Sequence, residues 1–98
     1  MANMNLKVTI ASTGVAQNIA DSLPASVKPN TYVQQMIPQN QGTHDMHIGD
    51  STTTSTDGLL LSASGSANAG GFINYGTYLS DWWVVGTAGD VLFVLYIK

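Results

Sequence analysis

The stretch Asp90-Val91-Leu92-Phe93-Val94-Leu95-Tyr96-Ile97-Lys98 closes the chain, and its alternation decides the fold class. In an extended strand Val91, Phe93, Leu95 and Ile97 share one face, while Leu92, Val94 and Tyr96 share the other. Both faces are apolar, so this strand is expected to be covered on both sides, at the centre of a sandwich or against a partner chain. The apolar run from Val91 to Ile97 is far too short to span a bilayer as a helix.

Working outward, the same period of two recurs. Leu6, Val8 and Ile10 alternate with Lys7 and Thr9, which predicts a first strand over Asn5 to Ala11. Ser12-Thr13-Gly14 reads as a turn. Val15 to Ala20 reads as a short strand, with a single helical turn over Ala16 to Ser22 as the alternative. Asp21 to Asn30 carries Pro24 and Pro29 and is a connection. Thr31 to Ile37 is predicted as a strand that stops at Pro38. Thr43 to Ile48 follows, with Met46 and Ile48 facing inward. Ser51 to Asp57 is a Ser/Thr run with nothing to bury, and Gly58 is a turn residue. Leu59 to Leu61 is a short apolar segment, and Ser62 to Gly71 is a small-residue loop. Phe72 to Tyr75, Ser80 to Val85 and Asp90 to Ile97 close the fold as strands.

Composition agrees. Of 98 residues only nine are charged, six Asp and three Lys, with no Glu and no Arg. Exposed helix faces draw on Glu, Lys, Arg and Gln, and most of that supply is missing. About seven to eight short strands with frequent turn signals predict an all-β chain, a single antiparallel β-sandwich of jelly-roll-like type. Residues 1–98 are read as one domain with a short N-terminal arm over residues 1–5.

Charge excludes some partners. At net charge −3, with lysines only at positions 7, 28 and 98, the chain has no basic patch for a phosphate backbone, so no nucleic acid is expected. No membrane span and no secretory h-region are visible. Without cysteine there is neither a disulfide framework nor thiolate chemistry.

Candidate chemistry is sparse. In His44-Asp45-Met46-His47 the two histidines have opposite parity on a strand and diverge, whereas Asp45 and His47 share a face. Zinc needs three or four ligands, so the segment is read as a solvated strand face, with no metal or cofactor expected. Asp45, Asp50 and Asp57 flank the Ser/Thr run, but their spacing does not fit a calcium loop. No G-x-S-x-G elbow is present, and Gly65 to Gly70 is followed by no Lys, so the chain is not expected to be an enzyme.

The aromatic group Phe72, Tyr75, Tyr78, Trp82 and Trp83 is the most informative feature. On a strand Trp82 and Trp83 point to opposite faces, one as a core anchor and one for a subunit interface or sugar stacking. The residues expected at an oligomer or capsid interface are Trp82, Trp83, Tyr75, Tyr78, Phe93 and Tyr96.

The second half of the chain resembles small virion proteins of tailed bacteriophages, of the capsid decoration (cement) and head-fibre β-sandwich type. The residues that carry this are Met46-His47-Ile48-Gly49-Asp50, Asp57-Gly58-Leu59-Leu60-Leu61, Leu79-Ser80-Asp81-Trp82-Trp83-Val84-Val85-Gly86, and Ala88-Gly89-Asp90 running into Val91 to Ile97. The Ser/Thr run stands where that pattern has a short turn. The resemblance implies a structural role in a particle. One expectation is a cement protein on the capsid exterior, bound to the major capsid protein, with the arm Met1, Ala2, Asn3, Met4 and Asn5 touching the shell. The other is a head-fibre, neck or tail-associated module that stacks carbohydrate on Trp82 or Trp83, Tyr75 and Tyr78. The chain is expected to be whole from Met1, which favours the first. A homo-oligomer, dimer or trimer, is expected, because few lysines are available to blunt sheet edges.

Overall fold

Where apolar residues alternate with polar ones the chain forms strands, and where the buried positions change parity the strands break. The computed structural model describes residues 3–23, 32–63 and 76–97. Among these, the strands are β1 (Asn3–Thr9), β2 (Gln17–Asn18), β3 (Tyr32–Val33), β4 (Gln35–Asn40), β5 (Met46–Gly49), β6 (Leu59–Leu61), β7 (Thr77–Tyr78), β8 (Trp83–Val85) and β9 (Val91–Ile97). Every pairing is antiparallel. One sheet has the order β1-β9-β4, a second β2-β8-β5-β6, and β3 pairs with β7 alone. The chain is all-β, as its composition predicts. The connections through 24–31 and 64–75, on which a jelly-roll path depends, lie outside the described residues, as does the strand expected over Phe72 to Tyr75.

The two larger sheets face each other across one core. Leu6, Val8, Met36, Leu92, Val94 and Tyr96 come from the first, and Met46, Ile48, Leu61 and Val84 from the second. Each such side chain contributes roughly 1.5–3 kcal/mol when fully buried. β9 is the middle strand of its sheet, flanked over its whole length by β1 and from Leu92 to Ile97 by β4.

Three expected strands are interrupted, each for the same reason. Val33 and Met36 are both buried although their parities differ, and the strand expected over Thr31 to Ile37 breaks between them at Gln34. Ile19, Ala20 and Leu23 are all buried, a spacing no strand satisfies, so β2 gives way to a 3-10 helix over Ile19–Ser22. Asn18 caps that helix, its Oδ1 accepting from Ala20 N at 2.8 Å. A second 3-10 helix, Leu79–Asp81, lets both Leu79 and Val84 reach the core, where a continuous strand from Ser80 was expected.

Pro38 lies inside β4 and does not end it. Gln41 N donates to Val91 O at 2.9 Å, so residues 41 and 91 form a hydrogen-bonded pair. By alternation Pro38, opposite Val94, falls in a non-hydrogen-bonded pair. Its nitrogen therefore faces the free edge of the sheet, where no N–H is needed.

The expected N-terminal arm is shorter than the sequence suggests. Asn3, Met4 and Asn5 belong to β1, opposite Ile97, Tyr96 and Leu95. The apolar C-terminal strand offers them a pairing edge, which sequence alternation starting at Leu6 does not reveal. Met1 and Ala2 lie outside the described residues.

Candidate functional site

The outer face of the β1-β9-β4 sheet follows from register. Leu92, Val94 and Tyr96 are buried in the core at 0%, 0% and 3% exposure. The alternate row, Val91, Phe93, Leu95 and Ile97, points away from the core and is half-buried. Beside this row β1 places Asn5 opposite Leu95, Lys7 opposite Phe93 and Thr9 opposite Val91. On the other side β4 places Ile37 opposite Leu95 and Gln39 opposite Phe93. Directly opposite residues share a face, so the sheet presents a central apolar stripe, widened by Ile37, with a rim of amides, one hydroxyl and one ammonium. Of the two β9 aromatics expected at an interface, Phe93 lies on this face. Tyr96 lies in the core.

The other aromatics are separated. Trp82 packs against the core, and its Nε1 donates to Thr77 Oγ1 at 3.0 Å. Its half-buried ring also lines a cleft of about 400 Å³ with Asp50, Thr52, Asp57 and Leu59. Trp83 lines a different cleft, of about 200 Å³, beside Gln17, Asn18 and Asp21. There both amides are engaged in holding the chain: Gln17 bonds Ala11 N and Thr9 O, and Asn18 bonds Ala20 N and Ser80 O. Tyr78 meets Tyr32 edge-to-face with centroids 5.1 Å apart, both rings exposed. Tyr75 lies outside the described residues.

Asp45 and His47 share a cleft of about 310 Å³, in line with their parity. His44 points elsewhere, its Nδ1 3.0 Å from the Asp90 carboxylate. Asp45 accepts a hydrogen bond from Ala63 N at 3.0 Å. Among the described residues no three or more of His, Cys, Asp and Glu come together in a set able to hold a metal ion.

Asp50 anchors the turn after β5. Its Oδ1 accepts from Thr52 Oγ1 at 2.6 Å and from Thr52 N at 2.8 Å. The Thr52 hydroxyl, then the Thr52 amide, hold this carboxyl below the usual carboxylate range. Asp57 lies across the same cleft. The pairing of Asp50 and Asp57 with Trp82 was not legible in the sequence, because the cleft forms only where β8 comes to lie beside β5.

Comparison with protein families, with curated proteins and with solved structures gives no match.

Proposed function

We propose that the chain is a structural virion protein, a capsid decoration (cement) protein. In this role it binds the outer surface of a phage head and stabilises contacts between major capsid subunits. The observation that carries the reading is the outer face of the β1-β9-β4 sheet. An apolar stripe of Val91, Phe93, Leu95 and Ile97, rimmed by Asn5, Lys7 and Gln39, has the anatomy of a protein contact surface. The segments that resemble phage virion proteins support it. Three of them lie together in one sheet, with Met46–Gly49 as β5, Leu59–Leu61 as β6, and Leu79 to Val85 as the second 3-10 helix and β8, and the fourth, Ala88 to Ile97, leads into β9 of the other sheet. In this reading the protein works by binding and not by catalysis, on the capsid exterior.

A second reading has its own observation. The cleft beside Trp82 combines an indole with the carboxylates of Asp50 and Asp57, a pairing suited to neutral sugar hydroxyls against an aromatic surface. That favours a head-fibre, neck or tail-associated module that binds host-surface carbohydrate.

Quantitative mass spectrometry of purified particles from the virus that encodes the chain separates the two. Hundreds of copies per particle support decoration. About a dozen support the fibre, neck or tail position, and then Trp82→Ala should abolish a glycan-induced change in tryptophan fluorescence. Absence from particles removes both readings.

A further inference from the structure

We propose that the outer face of the β1-β9-β4 sheet packs face to face against the same face of a second copy of this chain, as a two-fold dimer. This rests on the reading of that face as a protein contact surface and gives it to a second copy, so that contact with the head would fall to the rest of the molecule's surface.

Charge placement comes first. All six Asp lie in turns, loops or 3-10 segments and none within the three strands of this sheet. Lys7 is the one charged side chain those strands place on the face among the described residues. Two molecules of net charge −3 repel, and the strands of this face bring no carboxylate into the contact.

The face is also complementary to itself. Two-fold packing with antiparallel central strands and the axis midway between the Phe93 and Leu95 rows sets Phe93 over Leu95 of the copy and Lys7 over its Asn5. Two-fold packing with parallel central strands sets Phe93 over its own counterpart and Lys7 over Gln39. Both follow from the register, in which Lys7, Phe93 and Gln39 lie in one row and Asn5, Leu95 and Ile37 in the next. In either of these two arrangements the ammonium meets an amide, whose carbonyl oxygen accepts its hydrogen bond, whereas an axis through the Phe93 row would stack Lys7 on its own counterpart and is disfavoured by that repulsion.

Size sets the strength. Two strands of seven residues and one of six, side by side, make a face roughly 23 Å long and 15 Å wide. With the rim side chains this reaches the lower end of specific interfaces, on the order of 1,200 Å² in total. A dimer dissociating in the micromolar range is therefore expected.

Sedimentation velocity on the purified chain, from sub-micromolar to tens of micromolar, tests the proposal without any particle. The expected result is conversion from the monomer mass to twice that mass. Phe93→Ser, with the fold checked by thermal melting, should weaken association at least about tenfold. Asn5→Lys and Gln39→Lys lie on exposed positions that tolerate lysine. One of them should weaken it about as much by opposing Lys7 of the copy, and which one does so names the packing direction. A monomer at tens of micromolar overturns the dimer, as does a trimer, because two-fold face packing closes at two copies. A dimer indifferent to all three substitutions overturns it too. A monomer found in hundreds of copies on heads would sink the dimer while leaving the decoration role standing. A dimer absent from particles would do the reverse.

Discussion

The side-chain amide of Asn40 donates to the main-chain carbonyl of Leu61 at 3.0 Å, tying the edge strand β4 of one sheet to the edge strand β6 of the other. Asn40 is fully buried and its polar capacity is well used. Nδ2 also donates to His44 O at 2.7 Å, and Oδ1 accepts from Gly42 N at 2.8 Å. One amide therefore joins the two sheets and shapes the loop between β4 and β5.

Removing that amide leaves two carbonyls and one N–H without their partner. Asn40→Ala should destabilise the fold by about 3 kcal/mol or more, since each orphaned buried group costs about 1–3 kcal/mol. Asn40→Asp should be at least as damaging at neutral pH, because a carboxylate accepts but cannot donate to Leu61 and His44. Urea denaturation followed by tryptophan fluorescence measures both. A midpoint unchanged in either variant would show that water replaces the amide without loss.

Gly58 is needed for two reasons at once. Its φ of +139° is one that side chains rarely adopt, and a Cβ there would stand 2.9 Å from Thr53 Cγ2 and 3.2 Å from Ile48 O. Gly58→Ala should cost about 1–3 kcal/mol, whereas Gly14→Ala meets no neighbour within 4 Å and carries only the backbone strain of φ +75°. Comparing the two melting temperatures separates conformational strain from collision. Equal losses would mean that the contacts around Gly58 relax freely.

Asp50 gives a pH signature on the acid side. Its carboxyl is held low by Thr52, so the folded chain releases this proton more readily than the unfolded chain. The stabilisation is present above the unfolded-state value and is lost as pH falls through the folded-state value, below the ordinary aspartate range. Thr52→Ala should move the Asp50 titration midpoint upward in a carboxyl-detected NMR titration, while Thr52→Ser should largely retain it. No movement in Thr52→Ala would remove the hydroxyl from the explanation.

Pro38 blunts the outer edge of β4. Replacing it with valine adds an N–H that points to the open edge while keeping an apolar side chain toward the core. Pro38→Val should leave the melting temperature nearly unchanged and increase concentration-dependent light scattering. Scattering equal to the parent chain would show that the edge is guarded by something else.

Alternation by itself determined the all-β class, the full extent of β9, and the inward positions of Met46 and Ile48. These are local properties, because a period of two fixes which side chains share a face before any partner strand arrives. The breaks at Gln34, Ile19–Ser22 and Leu79–Asp81 were harder to see, since each arises where two core positions of unequal parity must reach the same interior. Asn40 lies beyond the strand expected to stop at Pro38, and its role has no signature in the sequence because its partners are main-chain groups, which carry no residue-type signal. The outer face of β9 read as apolar from the start. That Lys7 and Gln39 flank Phe93 was decided by the tertiary register, which brings the two ends of the chain and its middle into one sheet. Long-range pairing likewise placed Trp82, Trp83 and Tyr78 in three separate surroundings, because the rim of a site is set by which strands become neighbours.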